Sequence, residues 1–168
     1  MEPEIDLKRL KELLTMYGEQ ITAEMLTRLA GFGKIASGSL RDSINFGINE
    51  TPGTLELVFG MAHYGDFVDK GVNGRERGYG SPFTFRTGPG GGPNSESGKS
   101  IRAWCRIKGI PEDAAYPIAR NIGRFGIPAT HFFTLPFARR KQALINDIKN
   151  LMSEDVQNKI REYLNKTT

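Results

Sequence analysis

The sequence predicts an α+β protein, with a small antiparallel β-sheet packed against long N-terminal and C-terminal helices and an inserted Gly-rich loop and helical pair. Apolar residues recur at helical spacing near both ends, residues 42–60 alternate in polarity, and the stretch 71–100 is rich in glycine and poor in apolar side chains. With 168 residues, 38% hydrophobic and 25% charged, the chain is typical of one globular domain spanning 1–168.

The first predicted element is a helix over residues 6–30, because its apolar residues place a stripe on one face. Asp6 is expected to cap this helix, and Gly31 and Gly33 are expected to end it. We expect the stripe to pack on the protein's own sheet, with a seam against a partner helix as the alternative. The stripe consists of Leu7, Leu10, Leu14, Tyr17, Ile21, Met25 and Leu29.

A β-hairpin is predicted over residues 42–60, since apolar and polar residues alternate in both of its halves. The link 49–53 has the composition of a turn. Val58 interrupts the polar side of the second strand. This strand is therefore expected to be covered on both faces or to lie in a subunit contact.

The stretch 71–100 is predicted to be a flexible Gly-rich arm, because few apolar groups are present to offset the entropy of ordering it. A weak alternation over 81–87 indicates a short edge strand. Loops of this length are functional or disordered, so we expect the arm to contact another molecule. Its candidate contact residues are Arg75, Arg77, Tyr79, Phe83, Phe85 and Arg86.

Two inserted helices are predicted over 100–126, the second beginning at Pro111 and kinked at Pro117. An extended stretch follows over 127–133, because Pro128 disfavours the helical conformation of the residue before it. The apolar periodicity of 135–165 predicts a long C-terminal helix.

Motifs for phosphate, dinucleotide or metal binding are incomplete in this sequence. The stretch 92–100 approaches a phosphate-binding loop, but Pro93 stands where the first glycine belongs and has no N–H to donate. Cys105, His63 and His131 are too few and too separated to predict a metal site. Cys105 is instead predicted to be a small buried side chain, and His131 a hydrogen-bonded packing residue. We therefore expect no enzyme activity, no metal and no cofactor.

Several charged residues could be either solvent-exposed surface groups or catalytic and binding groups. Asp66 and Asp69 would serve as acid and base, but their spacing favours a solvated helix face or an ion pair with Lys70. The basic run 139–141 favours a solvated helix start over phosphate contact. The net charge of +4 permits nucleic-acid binding without requiring it. No apolar stretch is long enough for a signal peptide or membrane span, so no membrane partner is expected.

Three short segments follow one another along the chain: SGSLRDSI at 37–44, YGDFVDKG at 64–71 and PATHFFTLPFA at 128–138. In this order, ahead of a long C-terminal helix, they resemble motifs of the bacteriophage tail-completion and neck proteins of the HK97 gp10-like family. Asp69 stands where that family usually has Glu. The insertion over 71–126 also departs from the family's pattern.

The resemblance implies packing roles for the residues of these motifs. Tyr64, Phe67 and Val68 are expected to hold the turn after the sheet on the core, and Leu40 and Ile44 to join the first helix to the first strand. Phenylalanines of the third segment are expected to hold the last helix. The full set is Leu40, Ser43, Ile44, Tyr64, Phe67, Val68, Asp69, Gly71, Phe132, Phe133 and Phe137.

The resemblance also implies a structural virion protein, a tail-completion component forming a homo-oligomeric ring at the neck of a tailed phage. The implied partners are portal or connector adaptor proteins and tail terminator or tube proteins, with transient contact to genomic DNA and assembly in the host cytoplasm. A tail terminator or head-closure adaptor is an alternative in the same virion region. A small basic nucleic-acid-binding module is a second alternative, using the arm's arginines and aromatic rings. A nucleotide hydrolase dependent on Lys99 is a third.

Overall fold

The computed structural model describes residues 7–32, 38–85 and 96–166, apart from the side chains of 96–97, 155 and 159–166. Its α+β class confirms the prediction. The elements in chain order are α1 (Leu7–Gly31), α2 (Ser39–Ser43), β1 (Asn45–Thr51), β2 (Thr54–Gly60), α3 (Gly65–Lys70), β3 (Val72–Asn73), α4 (Glu96–Ile107), a 3₁₀ turn (Glu112–Ala114), α5 (Ala115–Phe125), β4 (Gly126–Ile127) and α6 (Thr134–Lys166).

The chain divides into two compact units. The first comprises Met1–Glu24, Asn45–Gly60 and Leu135–Thr168, and the second comprises Met25–Ile44 and Met61–Thr134. That the chain folds as one domain therefore stays a prediction. Asp6 and Gly33, the expected boundary residues of the first helix, lie outside the described residues, whereas Gly31 ends α1 as expected.

The first unit packs a two-stranded sheet against α1 and α6. Strands β1 and β2 pair antiparallel from Asn45↔Gly60 to Thr51↔Thr54. Their inward side chains are half-buried, and the ring of Phe46 occupies the space that a Cβ on Gly18 of α1 would need. The Phe59 ring lies 6.3 Å from that of Phe137 on α6, edge to face. The alternating pattern thus turns the apolar side of the hairpin toward both long helices.

The observed hairpin is shorter than predicted, because Asp42 and Ser43 belong to α2 and the first strand begins at Asn45. Its turn consists of Pro52 and Gly53, and Gly53 has a φ of +78°, a conformation that glycine adopts without a steric penalty. Val58 is 41% exposed, so the second strand is not covered on both faces by the chain's own described residues. Its other predicted role, a subunit contact, stays a prediction.

Polar side chains of the first unit form ion pairs across the helices. Arg140 donates to Gln20 at 2.5 Å and to Glu24 at 3.3 Å, and Arg139 lies 3.5 Å from Glu24. Arg139 is exposed, as the solvated interpretation of the basic run predicts, whereas Arg140 is half-buried and hydrogen-bonded to α1. The Tyr17 hydroxyl donates to Asp147 at 2.6 Å, and this hydrogen bond raises the pKa of Tyr17 above its ordinary value.

The second unit is built from short helices and close backbone contacts. Strands β3 and β4 pair through Val72↔Ile127 and Asn73↔Gly126. Helix α4 begins at Glu96, four residues before the predicted start, and Cys105 is fully buried, as predicted. The expected kink at Pro117 is wrong, because α5 begins at Ala115. Pro117 therefore lies in the first turn, where a backbone N–H has no helical partner to lose.

Candidate functional site

The first two of the three motif segments meet at α3 in the second unit. The hydroxyls of Ser39 and Tyr64 are hydrogen-bonded at 2.8 Å. The Leu40 side chain lies 3.2 Å from the position that a Cβ on Gly65 would take, so glycine allows α2 and α3 to approach closely. Ser43 accepts a hydrogen bond from the Ala62 N–H at 2.9 Å and donates to the Leu40 carbonyl at 2.7 Å.

Asp69 joins the second segment to the third. Its Oδ1 accepts the backbone N–H groups of Phe133 at 2.8 Å and Thr134 at 3.1 Å, and its Oδ2 accepts the Thr134 hydroxyl. Thr134 is the first residue of α6, so the carboxylate caps a helix N-terminus, where backbone donors and the helix dipole both favour an anion. The side chain is fully buried. We call this arrangement the Asp69 junction.

The solvated interpretation of the two aspartates is therefore correct for Asp66 and wrong for Asp69. Asp66 is exposed and pairs with Lys70 at 2.9 Å, which raises the pKa of that lysine. Asp69 lies one helical turn further along the same six-residue helix, but it is buried and accepts from donors 64 and 65 residues away in sequence. Local spacing carries no information about such partners.

The backbone on both sides of the Asp69 junction is also paired. The Thr130 hydroxyl donates to the Val68 carbonyl at 2.8 Å, and the His131 N–H donates to the Asp69 carbonyl at 2.9 Å. His131 has a φ of +49° and an exposed side chain, so its predicted packing role is wrong. Gly71 has a φ of +71°, and a Cβ there would collide with the backbone at Ile127 and Ala129. The second segment thus ends in glycine for a steric reason.

The predicted packing residues differ widely in burial. Phe67 and Phe137 are 40% and 36% exposed, so neither of these predicted packing residues is buried. Phe67 lies on the outer side of α3, with its ring 4.5 Å from Phe83, and Phe137 shows its ring edge to Phe59. Leu40, Asp69, Gly71 and Phe132 are buried, while Ser43, Ile44, Tyr64, Val68 and Phe133 are half-buried.

The first half of the predicted arm is ordered, which corrects the expectation of a flexible segment over its described residues 71–85. Asn73 is the organising residue. Its side-chain oxygen accepts the N–H groups of Tyr79 at 2.6 Å and Ser81 at 3.2 Å, and its amide donates to the Ser81 carbonyl at 2.7 Å and the Thr84 hydroxyl at 3.3 Å. These bonds replace the apolar burial that the segment lacks.

The backbone of Asn73 adds two more hydrogen bonds, donating to Phe83 at 2.8 Å and accepting from Phe85 at 3.1 Å. Thr84 forms an isolated parallel bridge with Asn73, so the strand predicted over 81–87 is reduced to one bridge within the described residues. We call residues 73–85 the Asn73 loop.

The candidate contact residues of the arm occupy different environments. Arg75 and Arg77 are exposed, and the Arg77 guanidinium lies 5.0 Å from the centre of the Tyr79 ring. Tyr79, Phe83 and Phe85 are half-buried. Arg86, together with the rest of 86–95, lies outside the described residues.

The Asn73 loop is fixed to the C-terminal end of α5. The N–H of Arg75 donates to Gly123 at 3.2 Å, and the N–H of Glu76 donates to the Arg124 carbonyl at 2.9 Å. The Arg124 guanidinium returns two hydrogen bonds to the Glu76 carboxylate, at 2.8 and 2.9 Å. These bonds, with the charges of Arg75 and Arg120 nearby, lower the pKa of Glu76 below its ordinary value.

Sequence reasoning missed Asn73, Thr130 and the Glu76–Arg124 pair. An Asn beside glycines was the available signal for Asn73, since Asn side chains bond to nearby backbone. Thr130 and Glu76 bond to residues 62 and 48 positions away. No local pattern marks either contact.

The catalytic alternatives lack the arrangement they need among the described residues. Gly98, Lys99 and Ser100 lie inside α4, whereas a phosphate-binding loop places its glycines ahead of the helix. No cluster of His, Cys, Asp or Glu suited to a metal occurs in the described part of the chain. An apolar groove of about 880 Å³ in the first unit includes Leu7, Leu10 and Ile148 in its lining, and its carboxylate, Glu50, pairs with Lys11 at 2.6 Å.

Comparison with known proteins identified no relative of this chain. No protein-family model, no curated protein and no solved structure matches the chain. None of the helices in the described ranges is long and apolar enough to cross a membrane.

Proposed function

We propose that the chain is a non-enzymatic structural protein of a tailed bacteriophage virion, a tail-completion component that forms a ring at the neck. The observation that carries the proposal is the meeting of the three motif segments at α3. Segments 37–44, 64–71 and 128–138 resemble the family in order and type, and their polar residues bond to one another. Accidental matches scattered along a chain would have no reason to be in contact.

The Asp69 junction supplies a physical reason for an acidic residue in the second motif. An acid is needed there because two backbone donors and one hydroxyl converge on it at the start of α6. Aspartate in place of the family's usual glutamate is compatible with this role, since both end in a carboxylate that can cap a helix. The same geometry explains why the motif ends in glycine, since a Cβ at position 71 would collide with the backbone opposite.

The hairpin supports assembly into a ring. Within the described residues β1 and β2 pair only with each other, which leaves both outer edges without a strand partner. Unprotected edges favour pairing with another chain unless charge, proline or curvature blocks them. The outward face of β2 presents Val58, which is 41% exposed, between Glu56 and Gly60. Heterologous contact of such surfaces closes into a ring when the rotation between copies permits it.

Electron cryo-microscopy of tailed particles whose genome encodes this chain tests the proposal. We expect a ring of copies at the head–tail junction, with density in each copy for a hairpin whose apolar face packs on two long helices. Intact, tailed particles that contain no copy of the chain would refute the neck role.

A pair of variants tests the assembly surface in the same particles. Val58→Asp should leave the isolated chain folded, because the side chain is exposed, but should yield heads and tails that fail to join, because a carboxylate in a subunit contact is costly to desolvate. Thr54→Asp, on the same strand and the same outward face, is the matched control and should assemble normally. Joined particles carrying Val58→Asp at wild-type frequency would exclude Val58 from the subunit contact.

A further inference from the structure

Positive charge is concentrated in the second unit. Its sequence ranges contain thirteen Lys and Arg against seven Asp and Glu, a net charge of +6, whereas the first unit has ten against twelve, a net charge of −2. The overall charge of +4 conceals this asymmetry. A strongly basic unit of this kind indicates an anionic partner.

Four arginines come together where the Asn73 loop meets α5. Arg75 is held at the end of α5 by its backbone bond to Gly123, and Arg120 precedes Arg124 by four residues, which places both on one helical face. Arg77 follows on the same loop. We call Arg75, Arg77, Arg120 and Arg124 the arginine cluster.

The arginine cluster has one acidic neighbour in this part of the second unit, among the described residues. Glu76 is already engaged by Arg124 through two hydrogen bonds. Arg75, Arg77 and Arg120 have no carboxylate within ion-pair distance in the described ranges, and Arg75, Arg77 and Arg120 are exposed. Three guanidinium groups therefore keep their donors available to a ligand.

Aromatic rings orient two of these guanidinium groups. Arg77 lies 5.0 Å from the centre of the Tyr79 ring, and Arg124 lies 5.0 Å from that of Phe125. Such contacts restrict a long side chain before any ligand arrives. Because a guanidinium already covers one face of each ring, the rings serve better to position arginines than to stack on unpaired bases.

We infer that the arginine cluster is a binding surface for the phosphate backbone of duplex DNA. Arginine forks donate paired hydrogen bonds to phosphate oxygens, and this cluster contains no lysine. The six hydrogen bonds of Asn73 hold the loop in place, so little ordering entropy is lost on binding. Binding through phosphates is independent of base sequence. The inference does not depend on the neck role.

Fluorescence anisotropy with a labelled duplex of about 20 base pairs tests the inference, over salt from about 50 to 200 mM. The test variant is Arg75→Ala/Arg120→Ala, since neither side chain has an ion pair or ring contact among the described residues. The matched control is Lys141→Ala/Lys149→Ala in the first unit, where both lysines are exposed, so that net charge falls equally.

The wild-type chain should bind the duplex with an affinity that falls steeply as salt rises. The arginine variant should bind about tenfold more weakly or worse, with a log–log salt slope smaller by about 2, and the lysine control should retain wild-type affinity. Absence of wild-type binding at low salt would overturn the inference, as would an equal loss in the lysine control. Tighter binding of a single strand of the same length would overturn the assignment to duplex DNA.

Discussion

The two compact units both bury apolar side chains, but they differ in the polar contacts that accompany this burial. In the first unit, apolar side chains at regular spacing pack together, with Leu14, Tyr17 and Ile21 of α1 each no more than 6% exposed. Its ion pairs, such as Arg9 with Glu154 and Lys11 with Glu50, are exposed and contribute little. The second unit also buries apolar side chains, such as Met25, Leu29 and Phe132. In addition, polar side chains and glycines bring its backbone segments together, with Asp69 and Asn73 at two of the meeting points.

A glycine-rich, weakly apolar segment can fold when hydrogen bonds and close backbone contacts take the place of apolar burial. The region around 71–74 and 126 has little apolar surface to bury, so its order depends on satisfied polar groups. Glycines at 71, 74 and 126 leave room for backbone to approach backbone, since a Cβ at any of them would collide with the opposite chain segment. Such a unit should be sensitive to single polar or glycine substitutions, and the first unit should tolerate them better.

Replacement of Asp69 by Ala is expected to have the largest effect. Loss of the buried carboxylate leaves two backbone donors and one hydroxyl without their acceptor and removes the cap of α6, at a cost of about 4 kcal/mol of unfolding free energy. Asp69→Asn should recover part of this, because an amide oxygen remains. Chemical denaturation measures the change.

Asp66→Ala, three residues away, is the matched control for this prediction. Its side chain is exposed and has one ion pair, so stability should be almost unchanged. Equal destabilisation by the two alanine variants would contradict the assignment of the cap to Asp69.

Two glycines with similar backbone conformation sharpen the comparison further. Gly126 and Gly80 have φ values of +77° and +69°, but a Cβ at Gly126 would collide with the Val72 carbonyl, whereas one at Gly80 meets open space. Gly126→Ala should therefore cost about 3 kcal/mol, and Gly80→Ala about 1 kcal/mol from backbone strain alone. Thermal and urea unfolding of both variants would test this. Equal losses of stability in the two variants would show that the backbone at the β3–β4 contact can shift to accommodate a Cβ at position 126.

A smaller effect is expected in the first unit, where Tyr17→Phe removes the hydrogen bond to Asp147. The cost should be about 1 kcal/mol near neutral pH. The folded pKa of Tyr17 is raised above its ordinary 10.0, so this stabilisation is fully present below pH 10 and is lost as pH rises through the folded pKa.

The measurement is urea unfolding of wild type and Tyr17→Phe from about pH 8 to pH 11, which brackets the ordinary tyrosine pKa. The stability difference between them should shrink as the pH rises. Tyr116→Phe is the control, because Tyr116 is 61% exposed. The stability of this variant should match that of wild type throughout the pH range. A difference for Tyr17→Phe that stays constant with pH would contradict the role of this hydrogen bond.

The periodic elements were predictable from the sequence because their signal is local. The apolar stripe of α1 and the alternation in β1 and β2 follow from which face each element buries, and the predicted C-terminal helix differs from α6 by one residue at each end. Leu7 is an exception to the buried stripe. It is 50% exposed, because it lies in the first turn of α1 at the rim of the apolar groove.

The candidate site was predictable only in part. Its three segments could be identified by residue type and order, but the spacing of Asp66 and Asp69 gave no reason to bury one and expose the other. The arm's composition indicated disorder, since a count of apolar residues cannot register the four side-chain hydrogen bonds of a single Asn. Arg120 and Arg124 were not predicted to be candidate site residues, because they come close to Arg75 only when the loop folds onto α5.

Periodicity and residue content were enough to predict the helices, the hairpin, the α+β class and the incomplete phosphate and metal motifs. The burial of Asp69, the hydrogen-bonded conformation of the Asn73 loop and the convergence of the arginines became visible only in the folded chain. Each of these depends on donors, acceptors or charges that are distant along the chain, and only folding brings such groups within hydrogen-bonding distance.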